Sequence, residues 1–495
     1  PAYHTATLGE AHTTQTPAYD LIVVGAGGAG MAGAIFAAEA GCKVIILEAE
    51  DHIGGSTALS DGVFNAADTS LQKKLGLADS IDDYYDYYMT LNAWRQPAAL
   101  IRRFCEEATP TLEWLLSIGV TYPERIAHKP KQPVFPGSVE GGGLYSAGVE
   151  WPPRGHCPAE GGSVYINAME NRRAVLGVEL VLNTRVRQLI VEDGAVKGVD
   201  VDGQRLTSHA VLLACGGIAN GPKEMIRAWF PDAYDALPEG YHPRYGSAEG
   251  SRGDGVVMAQ QAGAHIIGKN CGLAVSGPFL PSAPPGFHGY QPTSVVYVNG
   301  RGQRFAPETA PYAVMPGLIK DQDHNVWGVF DEAARLRADP TRSGFARGWD
   351  PDFVLQCVAA GDIVAADTLE ALAGKLSMRP GALAVTVEQF NEDIEKGEDR
   401  WFLRSMEELF PIAQAPFYAF RHTNTGFTLT GVGPRIDPDA HALDEDGRII
   451  PGLFAAGEAG AGVLGERYVG GGNSVANAIT MGRVAGMTVG RELKG

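Results

Sequence analysis

Polar Tyr19-Asp20 leads into an apolar run, Leu-Ile-Val-Val24, that stops at Gly25-Ala-Gly-Gly-Ala-Gly30. A second apolar run, Val44-Ile-Ile-Leu47, ends in Glu48. The pattern predicts strand, glycine turn, helix and strand over 18–50, a βαβ unit with a carboxylate at the second strand's tip. Leu112, Leu115 and Leu116 stand at helical spacing and place a helical region over 81–118. The Gly- and Pro-rich stretch from Tyr122 to Pro158 reads as loop. Short β-like segments follow at Glu179–Leu182, Val186–Val191 and Val196–Val201, then the apolar Ala210-Val-Leu-Leu-Ala-Cys-Gly-Gly217, a strand entering a glycine turn. Residues 255–263 read as a helix.

From about 271 the pattern changes. Pro and Gly cluster through 277–292, a β-like piece runs from Ser294 to Val298, and charged helical segments fill 331–410. Nucleotide-domain character returns at Gly452-Leu-Phe-Ala-Ala-Gly-Glu458, with a terminal helix expected from about Ser474. A chain of 495 residues exceeds what one core usually serves. The expected class is therefore α/β: a discontinuous Rossmann-like domain over 18–270 and 416–495, an inserted α+β substrate or capping domain over 271–415, and a loose tail over 1–17.

Composition narrows the partners. A formal charge of −18 argues against nucleic acid or an anionic membrane. Six scattered cysteines with no C-x-x-C and no metal-ligand spacing point to a reducing compartment and to no metal site. Residues 1–17 lack the basic and apolar regions of a signal peptide, and no apolar run approaches the ~18 residues that span a bilayer. The cytoplasm, without an integral membrane segment, is the expected setting.

The glycine turn carries the chemistry. Gly25 permits the tight turn, Gly27 (with Gly28 and Ala29) lets backbone approach a pyrophosphate, and Gly30 lets helix and strand pack closely. The pyrophosphate would sit at the helix N-terminus, where unpaired N–H groups and the dipole favour negative charge. Glu48 lies 48 − 25 = 23 positions on, near the ~20 expected of an acid on the ribose. Three further motifs favour a flavin over a nicotinamide: Gly54-Gly55-Ser56-Thr57-Ala-Leu-Ser60-Asp-Gly62, Gly253-Asp254-Gly255, and Gly457-Glu458 before Gly470-Gly-Gly-Asn-Ser. A nicotinamide needs one half-site, whereas a flavin held along its length needs several turns and late returns of the chain. Glu458 is placed for the ribitol hydroxyls. Backbone N–H groups at Asn473, Ser474 and Val475 can face negative charge on the reduced ring.

With these motifs, and Arg304-Phe-x-x-Glu308, the chain resembles the fumarate reductase/3-ketosteroid dehydrogenase family of FAD flavoproteins over about residues 18–490. The resemblance implies non-covalent FAD, since Ser56 stands where flavinylated relatives carry His. It also implies further cofactor contacts at Val186, Ala214, Gly216 and Asp254, and an active site between the two domains. Tyr312, in Glu308-Thr-Ala-Pro-Tyr312, stands where fumarate reductases place an arginine acid and matches the tyrosine base of the dehydrogenases. Tyr468-Val-Gly-Gly-Gly472 resembles their Tyr-Pro-Gly-x-Gly, whose tyrosine hydroxyl and second glycine N–H hold the ketone. Val469 departs from that pattern. Arg467 reads either as a salt-bridge partner or as an anchor for a substrate carboxylate. Tyr145 is the candidate for a third, assisting tyrosine, with Tyr122 behind it. Tyr84-Tyr-Asp-Tyr-Tyr88 reads as helix packing, and His156 and His422 as structural.

The activity this implies is α,β-dehydrogenation of a cyclic ketone, a 3-ketosteroid or a 4-oxocyclohexanecarboxylate-type acid. Tyr312 takes the α-proton, flavin N5 the β-hydride, and an external acceptor (quinone, dye or oxygen) reoxidises the cofactor. A fumarate-type enoate reductase and a non-catalytic flavin-binding module are the alternatives.

Overall fold

Near-continuous apolar strands suit a parallel sheet covered on both faces, and that is where the computed structural model of the chain places them. It describes residues 17–123, 154–232, 244–245, 247–283, 294–308, 310, 314–338, 349–404, 406 and 409–495. Tyr145 and Tyr312 therefore lie outside the described residues, as does nearly all of the 1–17 segment.

The chain divides into two compact units, one of 1–231, 245–273 and 427–495, the other of 232–244 and 274–426. The sequence pattern broke the chain at 270 and 415. The later return at 426 follows from pairing: Phe417–His422 lie antiparallel to Val326–Asp331 and so belong to the second unit's sheet.

In the first unit, β1 (Tyr19–Val24), β2 (Val44–Leu47), β3 (Glu179–Val181) and β4 (Gln204–Leu213) form a parallel sheet with Ile449–Ala455, in the order 449–455, β4, β1, β2, β3. His441–Leu443 adds an antiparallel edge. Leu21, Ile22 and Val23 are fully buried, as are Leu212 and Leu453 on neighbouring strands. Helix α1 (Gly28–Glu39) follows the glycine turn. The helical pattern over 81–118 resolves into α2 (Ile81–Leu91) and α3 (Ala98–Ser117). The break comes where Ala93 and Trp94 take φ of +53° and +57°, just before Pro97. Ser80 caps α2 by accepting from Asp83 N–H at 3.0 Å. The last helix, α4 (Asn473–Lys494), packs along α1 at very close range. A Cβ on Gly482 would stand 2.2 Å from Ala29 O, and one on Gly486 2.3 Å from Gly33 O, so only glycine allows this approach.

The second unit is built on an antiparallel sheet of Val296–Asn299, Val326–Asp331, Ile363–Ala366 and Phe417–His422. Alternation sends the residues to two cores. Tyr297, Phe330, Tyr418 and Phe420 pack with Trp349 and Val354. Val296, Val298, Val329 and Ala419 pack with Leu383, Val387 and Phe390. Among the described residues no helix is long and apolar enough to cross a membrane.

Candidate active site

The turn after β1 does what its glycines predict. Gly25 has φ +104°, and a Cβ there would meet Ala214 O at 2.5 Å. On Gly30 a Cβ would meet Gly25 O at 1.9 Å. Glu48, at the tip of β2, accepts from Ala26 N–H at 2.6 Å and Glu50 N–H at 2.9 Å. Burial pushes its pKa up against these bonds. Thr57 Oγ1 accepts from Gly28 N–H at 3.3 Å, which ties the Gly54–Gly62 segment to the start of α1. Ser56 Oγ accepts from Ala248 N–H at 3.0 Å. Ser60 Oγ donates to Thr57 O and accepts from Gly62 N–H. Gly54, Gly55 and Gly62 all have positive φ. Val186 and Ala214 are buried, Gly216 turns at φ +75°, and Asp254 pairs with Arg185.

Glu458, just after Gly457, is buried and accepts from Thr430 N–H at 2.7 Å. Burial raises its pKa to about 7, with the Thr430 and Gly217 amides opposing. Along the first half of α4, Asn473 Oδ1, both side-chain polar atoms of Asn477 and Thr480 Oγ1 are buried without a partner among the described residues, as is Asn65 Oδ1. Buried polar atoms ordinarily have partners. A cradle of close-approach glycines, a helix N-terminus, a half-buried acid (Glu48) and a buried one (Glu458) after two strands, and this row of unmet polar atoms fit a long polar dinucleotide. They suit FAD.

The loop before α4 carries the remaining groups. Tyr468 is buried, and its Oη accepts from Ser474 N–H at 2.9 Å. The phenol oxygen therefore receives a hydrogen bond from the helix N-terminus, which strengthens the phenol as a donor. Gly472 is the N-cap residue at φ +99°, and a Cβ there would strike Val63 at 2.7 Å. Among the described residues its N–H makes no hydrogen bond. Asn473 N–H donates to Gly470 O at 3.2 Å, and Val475 is buried. Arg467 is exposed, and its guanidinium pairs with no carboxylate among the described residues. Its neighbour Glu466 pairs with Arg95 at 2.8 Å.

In the second unit, the Arg304-Phe-x-x-Glu308 segment is a buried ion network. Arg304 forks onto Glu308 at 2.8 and 2.7 Å and reaches Asp399 at 2.7 Å; Arg404 adds 2.9 Å to Glu308. Burial opposes Arg304's charge, but Glu308 and Asp399 more than offset it and raise its pKa. The network fixes the backbone up to Glu308, four residues before Tyr312.

His156 is buried, with Nε2 2.9 Å from Thr69 Oγ1 and Nδ1 facing Arg154 O and Phe64 O. His422 is buried against Tyr297, and burial lowers its pKa to about 3. Tyr122 donates to Tyr165 Oη at 3.0 Å, which donates to Gly62 O at 2.6 Å, a relay ending on the glycine segment. Sequence reasoning missed Tyr165 and Thr430. Tyr165 lies in a helix with no motif, and Thr430 meets Glu458 only through tertiary packing. No cluster of three or more potential metal ligands occurs among the described residues.

The site is that of a flavoprotein oxidoreductase, with FAD as its cofactor. The family model described as FAD binding domain matches residues 20–475, and the chain belongs to that family, which here spans fumarate reductases and 3-ketosteroid dehydrogenases. The vinyl phenol reductase of Lactiplantibacillus plantarum is 29% identical, over 91% of this chain and 91% of its own. A fumarate reductase (cytochrome) of Shewanella frigidimarina is 27% identical, over 94% of this chain and 76% of its own. The crystal structure of 3-ketosteroid Δ4-(5α)-dehydrogenase from Rhodococcus jostii RHA1, in complex with 4-androstene-3,17-dione, matches with a TM-score of 0.75. Its identity is 28%, over 97% of this chain and 99% of its own. The chain is thus an FAD-dependent oxidoreductase acting on CH–CH groups.

Proposed function

We propose that the protein desaturates a cyclic ketone α,β to its carbonyl, with a 3-ketosteroid or a 4-oxocyclohexanecarboxylate-type acid as substrate. The carrying observation is Tyr468: its phenol oxygen accepts from Ser474 N–H at 2.9 Å, two residues on from Gly472, whose N–H makes no hydrogen bond among the described residues. Two donors at one helix end suit a carbonyl oxygen on which charge develops, and such donors are worth ~2.7–4 kcal/mol each. Bound FAD supplies the hydride acceptor. Tyr312 holds the base role, for which its phenol must ionise below the reference value of about 10. The neighbouring Arg304–Glu308 network supports this by pinning the chain before it. The reoxidant is an external quinone, dye or oxygen.

Arg467 favours a second reading. An exposed guanidinium with no carboxylate partner among the described residues suits a bidentate substrate carboxylate. That directs the substrate toward an oxo-ring acid, or the chemistry toward an enoate reductase.

The test is anaerobic. Holoenzyme is mixed separately with 4-androstene-3,17-dione, a 5α-saturated 3-ketosteroid and 4-oxocyclohexanecarboxylate while the flavin band is followed. Bleaching by a steroid supports the first reading and gives the regiochemistry. Bleaching by the small acid alone assigns Arg467 the carboxylate. No bleaching by any of the three overturns the dehydrogenase, and fumarate reduction with a dye donor would then establish the reductase.

A further inference from the structure

The loop 460–472 contains Gly460, Gly462, Gly465, Gly470, Gly471 and Gly472. Glycine loses the most backbone freedom on ordering. A loop this rich in it holds no fixed course by itself, yet it carries Arg467, Tyr468 and Gly472. The bond from Ser474 N–H fixes the tip of Tyr468, not the backbone that precedes it.

That backbone is held by the C-terminal end of α2. Tyr88 Oη donates to Val463 O at 2.6 Å and accepts from Asn473 Nδ2 at 2.9 Å, so one hydroxyl joins the loop's beginning to the first residue of α4. One turn later, Asn92 Oδ1 accepts from Arg467 N–H at 3.2 Å, and Gln96 Nε2 donates to Gly462 O at 2.7 Å. The fit is tight: a Cβ on Gly465 would stand 2.1 Å from Asn92 Oδ1. Tyr88 is 0% exposed, Asn92 5% and Asn473 1%, so water does not compete for these bonds. Tyr84, one turn earlier on the same face of α2, is equally buried at 1%, but its hydroxyl has no partner among the described residues. Of these two buried tyrosines of one helix, only Tyr88 bonds through its hydroxyl to the loop.

We propose that α2 is a brace for the substrate loop, with Tyr88 and Asn92 as positioning residues that set where Tyr468 and Gly472 stand. The proposal rests on reading those two groups as the ketone holders. It makes the tyrosine-rich stretch more than packing, and it makes the Tyr88 hydroxyl, rather than its ring, the functional part.

The experiment uses FAD-loaded enzyme of wild type, Tyr88→Phe, Tyr84→Phe, Asn92→Ala, Asn92→Asp and Tyr468→Phe. Hydrogen exchange is read over peptides covering 460–475, together with FAD content and the KM and kcat for 4-androstene-3,17-dione. Tyr88→Phe and Asn92→Ala should speed exchange in that segment and lower kcat/KM about five- to tenfold, the worth of one buried hydrogen bond, with FAD content kept. Tyr84→Phe should change neither. Asn92→Asp, which keeps an oxygen facing Arg467 N–H, should recover most of the loss. Equal exchange in the two Phe variants, or exchange in Tyr88→Phe like that of wild type, overturns the brace. If Tyr88→Phe loosens the segment while Tyr468→Phe leaves kcat/KM untouched, the brace stands and the ketone-holding reading fails. If the steroid does not react at all, the exchange comparison still decides the brace.

Discussion

A carboxylate buried without a cation costs more as it ionises; Glu458 meets none among the described residues, and burial raises its pKa from 4.5 to about 7. The folded value lies above the unfolded one, so the penalty is absent below about pH 4.5, grows as pH rises, and is complete above about 7. It amounts to about 3 kcal/mol at alkaline pH. Glu458→Gln apoprotein should therefore match wild type in urea midpoint near pH 4.5 and exceed it near pH 8, while binding FAD more weakly by fluorescence titration. The two tyrosines make a kinetic prediction. Tyr468→Phe should lower kcat/KM by roughly 10²–10³ with FAD content unchanged, as loss of an oxyanion-type donor does. Tyr312→Phe should abolish turnover of any ketone that bleaches the wild-type flavin. Retained turnover in either variant removes that residue from its role. The sequence singles out both tyrosines because each stands at a fixed distance from a motif. Glu458 was readable as an acid after an apolar strand, but its partner Thr430 was not, since 28 residues of sequence separate them.

At the scale of elements, charge networks decide how segments dock. The Arg304–Glu308–Asp399–Arg404 cluster joins the loop after Val296–Asn299 to the segment following the 380–396 helix. Removing one member leaves the others buried and uncompensated, so Arg304→Ala should cost about 3–5 kcal/mol in chemical denaturation. The Arg-Phe-x-x-Glu spacing was visible in the sequence; Asp399 and Arg404, nearly a hundred residues on, were not. The C-terminal end of α4 is held differently. His441 lies 2.9 Å from Asp437 and 2.8 Å from Glu492. Burial lowers its pKa, but the two acids more than offset this and leave it raised. Its stabilisation is complete below the unfolded value of 6.5 and is lost as pH rises through the higher folded value. With the intrinsic pH dependence of exchange divided out, protection of the 483–494 peptides should thus fall above pH 6.5 in wild type and lose that extra dependence in His441→Ala.

For the whole molecule, the division into two units makes a linkage prediction. Every described residue assigned to FAD lies in the first unit. A ligand that binds only the folded form stabilises what it binds, by about 2.7 kcal/mol at a hundred times Kd. Adding FAD to apoprotein should protect amides of β1, β2 and α4 more than those of Val326–Asp331 or Ile363–Ala366; equal protection in both units would refute it.

By itself the sequence determined the βαβ opening, the tight glycine turn after its first strand and the late return of the chain to the same sheet. Those features rest on local causes, namely apolar runs of strand length, glycines where the backbone must turn or approach, and an acid at a strand tip. It also determined the family, since the motifs combine at fixed spacings. Tertiary structure alone decided the break between α2 and α3, the membership of Phe417–His422 in the second unit, and the partners of each buried polar group. Pattern read Tyr84 to Tyr88 as helix packing throughout, because periodicity reports burial and not bonding, and so could not separate Tyr84 from Tyr88. Their difference depends on a carbonyl 375 positions away, at Val463, which only the folded chain brings within 2.6 Å.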